Sequence, residues 1–220
     1  MIQNILIAVA GLGKCEQMLK MLMEIPAIQG ANATILHVVT PQVTAELMAQ
    51  KLTDGGKILA DAIEYLKLDP AKVNVRLKQG DPKDIVCQVA EEENSDLIIM
   101  GSRGLNRLES ILANSVSQYV FQLTSRPMLL VKDDVDVKRI NRIMVGYDNS
   151  IPAQAALKLA LSMLRDIKGS QLLLIQVKAD QKAADAITNP ERDPIFTPAI
   201  NEAKKQGVAY KCIVATGEPG

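Results

Sequence analysis

Short runs of aliphatic and β-branched residues alternate along this chain with longer stretches of helical periodicity, and that alternation admits few folds. Five such runs stand in the first part: Asn4 to Ala10, Ala33 to Val39, Lys72 to Lys78, Asp96 to Met100 and Pro127 to Val131. Between them, residues 14 to 24 set Cys15, Met18, Leu19 and Leu22 at helical spacing, and residues 44 to 68 do the same with Leu47, Ile58, Ile63 and Leu66. Asp81-Pro82 predicts the start of a third helix, because Asp caps free N–H groups and Pro tolerates the first helical position. Near-continuous apolar strands, each followed by a helix, belong to a parallel sheet buried on both faces. The pattern therefore predicts an α/β, doubly wound, five-stranded parallel sheet.

After Val131 the polar stretch from Lys132 to Arg139 has no alternation of its own and reads as a linker. The sequence then restarts. Ile140-Asn141-Arg142-Ile143-Met144-Val145 restates Ile2-Gln3-Asn4-Ile5-Leu6-Ile7 at an offset of 138, Leu173 to Val177 restates Thr34 to Val38 at 139, and Thr216-Gly217-Glu218-Pro219 restates Gln79-Gly80-Asp81-Pro82 at 137. Three landmarks at nearly one offset indicate a duplication, with a domain over residues 1–132, a linker over 133–139 and a second copy over 140–220. The second copy reaches Gly220 where its third helix is due to start. It is therefore expected to be incomplete, without the fourth strand, the following loop, the last helix and the fifth strand, and to expose apolar surface that leans on something else.

Composition removes several function classes. Lys+Arg and Asp+Glu both number 25, so no electrostatic excess draws the chain to nucleic acid or an anionic membrane. Aromatic residues are 3% with no Trp, which leaves no stacking platform for single strands. Cys15, Cys87 and Cys212 are far apart, with no Cys-x-x-Cys pair, so a structural zinc site is excluded and a reducing compartment, the cytoplasm, is expected. The apolar opening from Ile5 to Ala10 is too short for a signal-peptide core or a membrane span.

One segment carries a chemical signature: Met100-Gly101-Ser102-Arg103-Gly104, then Asn114-Ser115-Val116-Ser117. It follows a buried strand and leads into a helix, where glycines let the backbone approach a phosphate and helix-end N–H groups point at the anion. Here the sequence resembles the universal stress protein family, whose nucleotide-binding members carry Gly-x2-Gly-x9-Gly-Ser/Thr after the fourth strand. This chain has Gly101-x2-Gly104-x9-Asn114-Ser115. The resemblance extends to His37-Val38-Val39, to Gly80-Asp81-Pro82 and to the closing strand Arg126 to Val131.

The resemblance implies a Rossmann-like fold of the adenine nucleotide alpha-hydrolase-like type, with strand order 3-2-1-4-5. It implies ATP or AMP as ligand, with or without Mg, adenine near Ala8, Ala10 and Val38, and phosphates on Met100, Gly101, Arg103, Gly104, Asn114, Ser115 and Val116. It also implies a regulatory stress-response role rather than catalysis, and homo-oligomerisation through the edge strand from Pro127 to Val131. Two positions depart from the family. Asn114 replaces the third motif glycine, and Ala10-Gly11 stands where relatives place an Asp near the ribose. That Asp recurs in the second copy as Asp148.

Other readings of the same residues stay open. Gly101 and Gly104 also suit a plain turn, Arg103 a surface ion pair, His37 a packed strand position and Asp148 a turn or helix cap. Glu91-Glu92-Glu93 reads as a solvated helix end, Cys87 as buried and the methionines as core filler. A nucleotide-free interaction module of the same family is the alternative function, followed by weak ATP hydrolysis. The Ser-Gly-Gly-x-Asp-Ser loop or His-x-Gly-His signature of enzymes in the wider group is not in this sequence, which holds a single His.

Overall fold

The computed structural model describes residues 2–11, 16–102, 115–132, 139–180, 184 and 187–217. The chain divides into two compact units, one made of residues 1–24 and 28–138, the other of residues 25–27 and 139–220. The first holds a five-stranded parallel sheet built from β1 (Asn4–Ala8), β2 (Asn32–Val39), β3 (Val73–Gln79), β4 (Leu97–Ser102) and β5 (Met128–Lys132), in the order β3-β2-β1-β4-β5. Its helices are α1 (Glu16–Met23), α2 (Pro26–Gln29, one short turn), α3 (Ala45–Leu66), α4 (Pro82–Glu92) and α5 (Val116–Leu123).

Burial explains why these runs are strands. Ile5, Leu6 and Ile7 are all buried, as are Ala33 to Leu36 and Leu97 to Ile99, so the three central strands are enclosed on both faces. One face carries α4 and α5, which set Val86, Val89, Ala90 and Val120 against Leu6, Leu36 and Ile98. The other carries α3, with Leu59 and Ala62 over Ile35, and α1 beside it. Thr44 caps α3 by accepting the Leu47 N–H at 3.2 Å, and Asp81 caps α4 by accepting the Lys83 N–H at 2.9 Å.

The core stripe of α3 is Gly55, Leu59, Ala62 and Leu66 rather than the expected face through Leu47, which is 48% exposed in the first turn, beyond the reach of the sheet. Strand β1 ends at Ala8, two residues short of the expected Ala10, because pairing with β4 stops there. Cys87 is half-buried, not enclosed.

The second unit pairs β6 (Arg142–Gly146), β7 (Gln171–Lys178) and β8 (Ala209–Thr216) in the order β6-β7-β8, all parallel. Helices α6 (Ile151–Leu164) and α7 (Thr197–Lys205) cover one face through Leu157, Leu161 and Ala203, with Phe196 from the turn just ahead of α7. Shifted by the sequence offsets, the pair Asn4↔Asn32 becomes Arg142↔Gln171, and Thr34↔Asn74 becomes Leu173↔Lys211, which are the pairs this sheet forms.

Glu93 corrects the reading of the triple-Glu run. The chain turns at the end of α4 so that Glu93 lies over the sheet, where Arg76 donates from Nε and Nη2 to Oε1 at 2.9 and 2.7 Å, with Asn74 and Thr34 donating beside it. Glu92 makes a longer ion pair with Lys78 at 3.5 Å. The Arg76 hydrogen bonds hold the Glu93 carboxyl below the ordinary glutamate value, against the opposing effect of burial. A carboxyl depressed in the folded state contributes stability above its unfolded pKa and loses it as pH falls through the folded value. Glu93→Gln is expected to cost about 1–2 kcal/mol at neutral pH, a figure reduced for the exposure of Arg76. Urea titration across the acid range should show the difference from wild type shrinking once the pH falls below the ordinary glutamate pKa and vanishing below the depressed folded value.

Candidate functional site

The strand connections of the first unit reverse at β1. From β1 the chain passes to β2 on one side, while β4 pairs with β1 on the other, and open parallel sheets bind ligands at such a point beyond the carboxyl ends of the strands. Ala8 is registered with both Leu36 and Met100. Just past it, Val9 donates its N–H to the Leu36 carbonyl at 2.9 Å, and the Val9 carbonyl accepts from His37 Nδ1 at 2.8 Å. The sole histidine thus pins the exit of β1 to β2. Ala10 emerges exposed, and Gly11 takes φ +129°, a conformation that side chains disfavour.

Four of the residues implied by the resemblance meet here. Ala8, Val38, Met100 and Val116 pack in one cluster with Leu6, Leu36 and Ile98, Met100 buried and the others half-buried towards the strand ends. Gly101 is exposed one residue beyond Met100, registered with Val131. Ser115 caps α5, accepting the Gln118 N–H at 3.1 Å, and its Oγ lies 3.0 Å from the buried Ser117 Oγ. Arg103, Gly104 and Asn114 lie outside the described residues.

What this arrangement can do follows from its chemistry. The half-buried Ala8 and Val38 offer apolar surface near the strand ends that suits a flat ring, and the N–H groups of Val116 and Ser117 at the start of α5, which no residue of the helix itself can accept, suit an anion. An adenine nucleotide presents both. Among the described residues no group of His, Cys, Asp and Glu is placed to hold a metal ion, and no helix is long and apolar enough to cross a membrane.

In the second unit, Asp148 accepts the Ser150 N–H at 2.9 Å, while Ser150 caps α6 by accepting the Ala153 N–H at 3.3 Å. The hydrogen bonding of Ser150 holds the Asp148 carboxyl below the ordinary aspartate value. Asp148 is a turn residue there.

One supporting residue was missed in the sequence. A Cβ on Gly55 would stand 2.8 Å from Leu77 Cδ1, 2.9 Å from His37 Cδ2 and 3.2 Å from Val39 Cγ2, so α3 lies against β2 and β3 at the imidazole that ties down β1. The signal was Gly55-Gly56 inside a helix, a pair that costs helix stability and asks for a packing reason.

A family model described as the universal stress protein family matches residues 1–132. The chain belongs to the universal stress protein family. A universal stress protein A-like protein of Arabidopsis thaliana is 33% identical over 60 residues, covering 27% of this chain and 34% of that protein. A universal stress protein of Methanocaldococcus jannaschii is 34% identical over 89 residues, covering 39% of this chain and 53% of that protein. The chain thus spans between a third and about half the length of these two relatives. Among solved structures, a universal stress protein of Archaeoglobus fulgidus shares the fold with a TM-score of 0.74 at 21% identity, over 98% of this chain and 77% of that one.

In this universal stress protein, Gly55→Val is expected to cost about 1–3 kcal/mol by overpacking. Its signature in NMR spectra is displacement of the His37 ring and of the Val9 to Gly11 amides, which simple loss of helix propensity would not produce.

Proposed function

We propose that the first unit binds ATP or AMP, with or without Mg, as a regulatory stress-response module. Adenine lies between the ends of β1 and β2 at Ala8, Ala10 and Val38, and the phosphates lie on the loop that includes Met100, Gly101, Arg103, Gly104, Asn114, Ser115 and Val116. The observation that carries this reading is the meeting of Ala8, Val38, Met100 and Val116 at the switch point, directly beside the capped start of α5. Family membership and the Gly101-x2-Gly104 spacing support it. The described site side chains are apolar or hydroxyl-bearing, suited to cradling a nucleotide rather than moving protons, and the His37 Nδ1–H is engaged by Val9. We further propose that residues 140–220 form a partial second universal stress protein domain after a linker at 133–139, that the protein works in the cytoplasm, and that β5, at the edge of the sheet, pairs with its counterpart in another copy.

One observation favours a second reading, a nucleotide-free interaction module. Ala10, exposed at the exit of β1, offers no carboxylate to a ribose. Losing a charge-assisted hydrogen bond there weakens binding by about 1.5–3 kcal/mol, roughly one to two orders of magnitude.

Titration calorimetry with ATP and AMP separates the two. Wild type is expected to bind weakly, Ala10→Asp to bind about tenfold to a hundredfold tighter, and Gly104→Val not to bind while keeping its thermal unfolding transition. No heat at millimolar nucleotide for wild type, together with an unchanged Ala10→Asp variant, contradicts nucleotide binding and favours the interaction module.

A further inference from the structure

A cleft of about 310 Å³ opens at the strand-entry end of the first sheet, near the lower limit of the volumes that small-molecule sites occupy. It lies between the first residues of β1, β2 and β3, the short helical turn Pro70–Lys72 and the end of α4, and all its lining residues belong to the first unit. The polar ones are Asn4, Asn32, Thr34, Lys72, Asn74 and Glu93. Asn4 is registered with Asn32, and Thr34 with Asn74, so these side chains stand on one face of the sheet, the face that α4 covers further along the strands.

The hydrogen bonds among these residues leave capacity unused. Asn32 Nδ2 donates to Asn4 Oδ1 at 3.1 Å, and Asn74 Nδ2 is shared between the two Glu93 oxygens at 3.2 Å each. Among the described residues no donor reaches Asn32 Oδ1 or Asn74 Oδ1. Glu93 Oε1 is filled by Arg76 and Asn74, whereas Oε2 has only Asn74 and a long contact with Thr34 Oγ1 at 3.4 Å. Oxygen acceptors on Asn32, Asn74 and Glu93 and a spare amide proton on Asn32 therefore line one cleft.

Charge and shape narrow what can use them. An anion meets the Glu93 carboxylate, and a cation gains little, because Arg76 already pairs with Glu93 and the exposed Lys72 adds a positive charge. No aromatic side chain lines the cleft, so a flat base has nothing to stack on. An apolar molecule would strip the amides of water without replacing their hydrogen bonds. A hydroxyl both donates and accepts, and a carboxamide sets an acceptor beside a donor, so neighbouring hydroxyls of one molecule match Asn32 and Asn74 while its C–H surface meets Ala33, Ala71 and Val73. We propose that this cleft binds a small neutral polyol of monosaccharide size, whose hydroxyls donate to Asn32 Oδ1, Asn74 Oδ1 and Glu93 Oε2 and accept from Asn32 Nδ2. Asn4 and Ala8 are the two ends of β1, so the cleft is separate from the crossover at Ala8 and the proposal is independent of nucleotide binding.

The test is a heteronuclear NMR titration of the full chain with myo-inositol and with glucose, read at the side-chain amides of Asn4, Asn32 and Asn74 and the backbone amide of Lys72. At least one of the two should shift these signals progressively, with half-saturation at about 1–10 mM for a ligand of ~12 non-hydrogen atoms, while the backbone amides of Ala8 to Gly11 stay in place. Asn32→Ala should weaken binding ~tenfold. Asn32 is exposed and its backbone N–H bond to the Gln3 carbonyl is retained, so the variant keeps the fold, which thermal unfolding checks. Lys72→Met should change the affinity less than ~twofold, because the ligand is neutral. Inorganic phosphate and ammonium should leave the same signals unmoved. No shift with either polyol at ~100 mM, about tenfold above the expected range, would overturn the proposal, as would shifts indifferent to Asn32→Ala. Phosphate shifts that Lys72→Met removes would assign the cleft to an anion and overturn it equally.

Discussion

Strand β1 pairs with β2 on one side and β4 on the other, and Ala8 is the last residue at which both pairings hold. Much of the first unit follows from that. Because Ile5, Leu6 and Ile7 are enclosed on both faces, the sheet requires helices on each side. Because the chain leaves β1 towards β2 while β4 lies on the opposite side, the switch point at which open parallel sheets take ligands falls beyond Ala8 and Met100. The bonds from Leu36 and His37 to Val9 then hold the exit of β1 in place beside it.

The start of β1 is held as firmly as its exit. Asp96, just ahead of β4, accepts the N–H groups of Gln3 and Asn4 at 2.8 and 3.0 Å, so β1 and β4 are locked in register before the first ladder pair. The polar network around Glu93 sits towards the same end of the sheet, near an open cleft lined by Asn4, Asn32 and Asn74. The Glu93 network thus lies at the strand-entry end, while the described residues at the strand exits, Ala8, Val38, Met100 and Ser115 among them, offer apolar side chains, hydroxyls and backbone N–H groups, the features that suit a neutral ring carrying an anionic tail.

Much of this was readable in the residues. Apolar runs gave the strands, Asp81-Pro82 gave the start of α4 with its cap, and the offsets between the halves matched the pairing of the second sheet. What escaped depends on tertiary contact. Nothing local separates Glu93 from Glu91 and Glu92; only Arg76 and Asn74, brought in by β3, select it. His37 looked like a packed strand residue, and its bond to Val9 depends on the chain continuing alongside β2 after the β1–β4 pairing has ended. Leu47 fitted a helical stripe that the length of α3 carries past the sheet. Part of the candidate site, Ala8, Val38, Met100, Val116 and Ser115, is assembled by the fold, while Arg103, Gly104 and Asn114 lie outside the described residues.

The central claim is that the switch point beyond Ala8 is where an adenine nucleotide binds. The most direct measurement is a heteronuclear NMR titration of the full chain with ATP and AMP. The account predicts progressive shifts at the amides of Ala8 to Gly11, Val38, Gly101 and Ser115 to Ser117, with those of Asn32, Asn74, Leu173 and Ile213 unmoved. Saturating nucleotide that leaves the first group unchanged, or that perturbs only residues away from the ends of β1 and β4, would contradict it.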